Sequence, residues 1–317
     1  AGSGTNTAAL GFGGFASTIS AATEAFNAGA PIANVWVTGN NMNTARELLG
    51  NFGIQTAAIS TGGFQPGASP TRVAITESYN GTNWTEVNDL NTGRSAPSAA
   101  GTQTAGLVFG GFAPPRTVDT ETWNGTNWTE VNNLNTGRSN AAGAGTSTAA
   151  LTAGGLGAPG SALTETELYN GTNWTEVNDL NIARYNAGGA GATNTAALNF
   201  GGTSPTPAKT ELWNGTNWTE VNDLNTGREN LTGSGTSTAA LGSGGESGTQ
   251  AITESWNGTN WTETGDLNTG RKNMGSDGAG TTNSLALAQG GAVPAGSTAA
   301  TEEFSNTAIQ TKTISTS

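Results

Sequence analysis

The 317-residue sequence contains no cysteine and no histidine. Without cysteine there is no disulfide framework, no thiolate metal site and no thiol nucleophile. Without histidine the commonest general base near neutral pH and the commonest transition-metal ligand are missing. Lysine and arginine total 11 and form no run, which argues against nucleic-acid binding through released counterions. No apolar run approaches the ~20 residues that span a bilayer. No signal-peptide pattern is visible, and a start at Ala1 without methionine is compatible with a leader removed upstream. Leu, Ile, Val and Phe together make up only about 15% of the chain, under the rough 20% floor of globular domains.

What the chain has in abundance is repetition. Asn80–Arg94 reads NGTNWTEVNDLNTGR and returns unchanged at Asn214–Arg228. Variants occupy Asn124–Arg138, Asn170–Arg184 and Asn257–Arg271, and a worn copy runs from Asn34 to Arg46. Landmarks recurring every 43 to 49 residues mark a repeat architecture and override the disorder-like composition. Three landmarks keep a fixed order. A Gly-Gly doublet begins at 13, 62, 110, 154, 201, 244 and 290, so that Gly110 and Gly111 form the third. Thr-Glu-x-aromatic follows, ending at Phe26, Tyr79, Trp123, Tyr169, Trp213, Trp256 and Phe304. A tryptophan comes last, at Trp36, Trp84, Trp128, Trp174, Trp218 and Trp261. The seventh unit lacks it, and the Ala308–Ser317 tail, with Ile309 and Ile314, is expected in its place.

Each unit reads as four short strands. Val73–Tyr79 and Trp84–Val87 flank Asn80-Gly81-Thr82-Asn83, a hairpin signal because both Asn and Gly tolerate positive φ. Thr104–Phe109 alternates up to its doublet, where glycine lets backbones approach closely. A weaker strand, such as Ser95–Ala100, follows each repeat arginine, and only Asn43–Leu49 suggests a helical turn. Four strands in each of seven units select an all-β, seven-bladed β-propeller with four-stranded antiparallel blades. The expected blades, within a single domain over 1–317, are roughly 1–46, 47–94, 95–138, 139–184, 185–228, 229–271 and 272–317. Ala1–Leu10 aligns with Ala142–Leu151, so the chain starts inside a blade, with a neighbouring chain or preceding segment expected to cover it. The last blade reads as complete, without exchange between the termini.

The order Gly-Gly, aromatic, Trp, Arg resembles the Kelch motif, in which the doublet ends the second strand of each blade. The NGTNWTEVNDLNTGR blocks in a Gly/Thr/Asn-rich background also look like the kelch-like proteins encoded by tailed phages of marine bacteria. The first resemblance implies a Kelch-type propeller. The second implies a virion-surface or extracellular setting. Kelch resemblance also brings galactose oxidase to mind, whose copper site needs histidine, and a tyrosine–cysteine cofactor that this chain cannot form.

Candidate chemistry is sparse. The Thr-Glu glutamates, among them Glu24, Glu77 and Glu121, could ring a channel or form one ion pair per repeat with Arg46, Arg94, Arg138 and their copies. The ion pair is favoured, because catalysis needs one distinguished site and here every copy is alike. Repeat tryptophans could stack on sugars, but packing between blades is the favoured role. Asp89, Asn91 and Gly93 have calcium-loop spacing without its bidentate glutamate, so a satisfied turn is expected. The hairpin around Asn80 and Trp84 has a likeness to the Asp-box of sialidases, one residue short, and Asn80 and Asn83 head glycosylation sequons. Lys209, Lys272 and Lys312, with Tyr79, Tyr169 and Tyr185, sit in different blades without a focus for lyase or hydrolase chemistry.

The loops after each doublet vary freely and carry eight of the ten prolines. Variation on one face of an otherwise uniform array is where a repeat protein usually binds. Phe64, Arg72, Phe112 and Arg116 are the expected contacts. The functional expectation is a non-enzymatic module without cofactor or metal, recognising a host surface glycan or protein. The alternatives are a secreted lectin with one sugar pocket per blade and a purely architectural subunit. A homo-oligomer or a neighbouring virion subunit is an expected partner; nucleic acid and membrane insertion are not.

Overall fold

In the computed structural model the chain divides into two compact units, Ala1–Asn34 with Asn306–Ser317, and Val35–Ser305. The structure describes residues 2–5, 8–11 and 24–26, and 34–306 apart from 204–206, 247 and 276–278. The first unit holds a three-stranded antiparallel sheet of β1 (Gly2–Thr5), β2 (Ala8–Gly11) and β3 (Glu24–Phe26).

The second unit begins with β4 (Val35–Thr38) and continues as a ring of four-stranded sheets. Blade I comprises β5 (Gly50–Ile54), β6 (Ala57–Thr61), β7 (Thr76–Tyr79) and β8 (Trp84–Val87). Blade II comprises β9 (Ser98–Thr102), β10 (Ala105–Phe109), β11 (Thr120–Trp123) and β12 (Trp128–Val131). Blade III comprises β13 (Ala142–Thr146), β14 (Ala149–Ala153), β15 (Thr166–Tyr169) and β16 (Trp174–Val177). Blade IV comprises β17 (Gly188–Thr193), β18 (Ala196–Phe200), β19 (Thr210–Trp213) and β20 (Trp218–Val221). Blade V comprises β21 (Thr232–Thr236), β22 (Ala239–Ser243), β23 (Thr253–Trp256) and β24 (Trp261–Glu263). Blade VI takes β25 (Ala279–Thr282) and β26 (Leu285–Gln289), then, past the hairpin of β27 (Ala292–Val293) and β28 (Gly296–Ser297), β29 (Thr301–Ser305). Its fourth strand is β4, with Phe304 opposite Trp36 and Glu303 opposite Val37.

The propeller therefore has six blades, and the expectation of seven is corrected. The inner strands neighbour one another from β5 through β9, β13, β17, β21 and β25 back to β5, which closes the ring. The miscount has one physical cause. Trp36 follows Phe26 in sequence and so reads as part of the same repeat, but its strand pairs with β29 at the other end of the chain. The expectation of a last blade without terminal exchange falls with it. Gly13, Gly14 and the Ala308–Ser317 tail lie outside the described residues. The helical turn suggested at Asn43–Leu49 does not form; Leu48 takes a left-handed φ of 56° instead.

Six hydrophobic clusters hold the ring, each wedged between neighbouring blades. All nine tryptophans are buried, as expected of packing residues. In five blades the outer-strand indole donates to a threonine of the preceding blade: Trp36 to Thr253, Trp84 to Thr301, Trp174 to Thr120, Trp218 to Thr166 and Trp261 to Thr210, at 2.9–3.1 Å. Trp128 is the exception. Thr76, the corresponding threonine of blade I, bonds to Thr61 at 2.6 Å, and the Trp128 indole N–H is left without a partner.

The Gly-Gly doublets are explained at Gly110 and Gly111, with φ of 64° and 104°. A Cβ on Gly110 would stand 2.6 Å from the Arg138 carbonyl oxygen, closer than any side chain tolerates.

Candidate functional site

Each connection between blades carries one repeat arginine, and each arginine is spent on structure. Arg94 reaches into blade II, where its guanidinium donates to Glu121 at 2.6 Å and to the Gly110 and Asp119 carbonyls. The other carboxylate oxygen of Glu121 accepts the backbone and side-chain amides of Asn91. Arg46–Glu77, Arg138–Glu167, Arg184–Glu211, Arg228–Glu254 and Arg271–Glu302 repeat the pairing at 2.5–2.9 Å, with both side chains buried. Desolvation pulls Arg46, Arg138, Arg184, Arg228 and Arg271 below the ordinary arginine value, and the paired glutamates oppose that shift. The glutamates thus form six inter-blade pins rather than a carboxylate-lined channel. The Glu24 side chain lies outside the described residues.

Two residues beyond each arginine the chain turns through a left-handed conformation. Leu48, Ala96, Asn140, Asn186, Asn230 and Asn273 have φ between 50° and 58°. Each donates its backbone N–H to the carbonyl of the previous member, and Leu48 donates to Asn273. The result is a closed hoop of six main-chain hydrogen bonds of 2.7–3.0 Å around the axis. Asparagine at four of the six positions fits, because its short polar side chain tolerates this conformation better than most.

Above this hoop the side chains stop repeating. The residues after each arginine are Glu47, Ser95, Ser139, Tyr185, Glu229 and Lys272. They pair by isolated main-chain bridges with the residues after each doublet, including Glu47 with Phe64 and Ser95 with Phe112. Phe64 also bridges to Arg72, and Phe112 to Arg116. All four expected contact residues are thereby brought into one cavity of about 340 Å³, with Glu47, Ser139 and Asn273 beside them.

The geometry of this mouth is specific. The Arg72 guanidinium lies over the Phe112 ring at 4.4 Å from its centre, and Arg116 lies at 5.5 Å. Such stacking suits arginine, whose flat cation is weakly hydrated. Arg116 donates its Nε to Ser139 at 3.2 Å. The Arg72 Nε is buried without a partner, and neither arginine forms an ion pair among the described residues. The acids facing the hoop are engaged: Glu47 accepts from Asn273 and Ser297, Glu229 from Thr203 and Asn186, and Glu246 pairs with Lys272 at 2.5 Å. Of the eight arginines in the chain, six are pins, and the remaining two flank Phe112.

Other sequence candidates resolve into turns. Asp89 accepts the Thr76 N–H at 3.0 Å while Asn91 serves Glu121, so the calcium-like spacing does not converge. No group of three or more acidic residues positioned for a metal occurs among the described residues. The Asn80 side-chain oxygen accepts the N–H groups of Thr82 and Asn83 and closes its own hairpin. Tyr79 donates its hydroxyl to Glu303 of blade VI, and burial, reinforced by that carboxylate, pushes its pKa upward. What the sequence reading missed was Glu47, Ser139 and the hoop itself. For Glu47 and Ser139 the signal was there in the varied residue after each otherwise constant arginine.

No family model and no curated protein matches the chain. Among solved structures it is similar to that of YjhT, with a TM-score of 0.68 and 12% identity over 83% of this chain and 95% of that one. At that identity the likeness carries the fold alone: both chains are β-propellers.

Proposed function

We propose that this propeller is a non-enzymatic binding module whose mouth, built on Phe64, Arg72, Phe112 and Arg116, takes an anionic group on a partner's surface. The observation that carries the reading is the pair of arginines left without carboxylates beside a cavity of about 340 Å³. Each of the six repeat arginines is neutralised by a buried glutamate, so two stacked guanidiniums without a carboxylate in a concave site are donors held ready for a ligand. The chain has no histidine and no cysteine, and none of the lysines and tyrosines among the described residues lines this mouth, which supports binding rather than catalysis. The Kelch-like order of landmarks and the phage-like repeat wording support a virion-surface or extracellular setting, with a host surface glycan or protein as the partner. A lectin using one tryptophan per blade draws no support, since all nine tryptophans are buried.

The test is binding of the purified protein to arrays of acidic and neutral glycans and to host-surface protein extracts, with solution mass measured by light scattering. The reading expects selective retention of anionic ligands, abolished by Arg72→Ala together with Arg116→Ala at unchanged melting temperature. Retention that ignores both substitutions would remove the mouth from the account.

A further inference from the structure

A second and larger cavity, of about 550 Å³, lies between the loop that precedes β7 and the loop that precedes β11. Its walls include Pro70 and Pro114, its floor is Val73, Ala74 and Ile75, and Arg72 lines it as well as the mouth. The two cavities therefore share one residue, Arg72. Much of the main chain of the floor is engaged: the Val73 N–H reaches Gly63, and the carbonyls of Val73, Ala74 and Ile75 accept from Arg94, Leu90 and Gly62. What the side chains of Val73, Ala74 and Ile75 offer is apolar surface.

We infer that this groove is an extension of the anion-binding mouth and takes an extended polypeptide segment, with an acidic side chain at Arg72 and Arg116 and apolar side chains against Val73–Ile75. The inference rests on the proposed mouth and names its ligand class. A polysaccharide suits the groove poorly. Sugars are held by hydrogen bonds and by aromatic faces, whereas the floor's side chains are apolar and the Phe112 ring already carries Arg72 and Arg116. A peptide matches both halves: charge complementarity at the guanidiniums and apolar contact along the proline-walled floor.

Fluorescence anisotropy on the intact chain tests this with three labelled probes. One is a short capped peptide with two aspartates followed by Val-Pro-Ile. The second keeps the aspartates but replaces the apolar residues with Ser and Gly. The third is an oligogalacturonate. The acidic–apolar peptide is expected to bind about tenfold or more tighter than its Ser/Gly counterpart, the margin that burial of two or three apolar side chains supports. Ala113→Trp, which fills the groove from one wall, should erase that margin and leave the Ser/Gly peptide unaffected, whereas Arg72→Ala should weaken both peptides. Ala68→Trp on the opposite wall serves if the first variant does not fold. Equal affinity for the two peptides overturns the groove and leaves the mouth standing. Tighter binding of the oligogalacturonate overturns the polypeptide assignment, and failure of every anionic probe removes the mouth as well.

Discussion

Closure of the ring by β4 can be tested with a chain that has no native cysteine. Val37 stands directly opposite Glu303 across the β4–β29 ladder and is 57% exposed, so replacing it sacrifices little burial. Directly opposed residues of antiparallel strands have Cα separations of about 4.5–5.5 Å, within the range a disulfide bridges. Val37→Cys with Glu303→Cys would join a loop of roughly 270 residues, for which the chain-entropy model gives about 5 kcal/mol. Loss of the Glu303–Tyr79 hydrogen bond returns about 1 kcal/mol. The net, about 4 kcal/mol, corresponds to a rise in melting temperature of about 10 °C. It should vanish on adding reductant. The competing closure has its own probe. Glu24-Ala25-Phe26 corresponds to Glu302-Glu303-Phe304, so in a seven-bladed ring Val37 would face Ala25. Non-reducing electrophoresis and mass spectrometry of the two double variants decide. Complete crosslinking between positions 25 and 37, with none or only part between 37 and 303, would refute the six-bladed closure.

Other expectations follow from single environments. Arg94→Met leaves Glu121 charged and buried and should cost about 3–5 kcal/mol, whereas adding Glu121→Leu should recover much of that loss in chemical denaturation. Asn199 is fully buried, its amide has no partner at either end, and Val108 occupies the equivalent place in blade II, so Asn199→Val should stabilise by about 1–3 kcal/mol. A destabilisation of similar size would mean that the amide is satisfied after all. Because the Tyr79 pKa is raised in the folded state, its neutral form is favoured, and stability should fall as the pH climbs above the unfolded tyrosine value of about 10. Tyr79→Phe should flatten that alkaline limb in thermal melts.

Much of the fold could be read from the sequence because local chemistry repeats. The hairpin at Asn80-Gly81, the burial of Trp84 and the pairing of Arg94 with a Thr-Glu glutamate are short-range or periodic facts, and each copy reinforced the others. Blade number was not legible in the same way. It depends on which strand β29 pairs with, and Trp36 looks the same in sequence whether it serves its own repeat or the one more than 260 residues away. The mouth was half legible. Phe64, Arg72, Phe112 and Arg116 stood out in variable loops, but that Arg72 and Arg116 converge on a single ring is set by the spacing of blades I and II. The hoop was invisible to pattern, since Leu48 and Ala96 occupy positions where asparagine would have announced the left-handed turn.

The missing bond at Trp128 gives the ring a preferred place to part. Five of the six seams are fastened by an indole–threonine bond, and the seam closed by β4 is among them. The exception lies between blades I and II, the two blades whose loops supply Phe64, Arg72, Phe112 and Arg116. The junction without this bond is thus the one that the proposed ligand would straddle. Under the proposed function a bound partner would act there as a clasp, supplying from outside the fastening that this junction alone lacks.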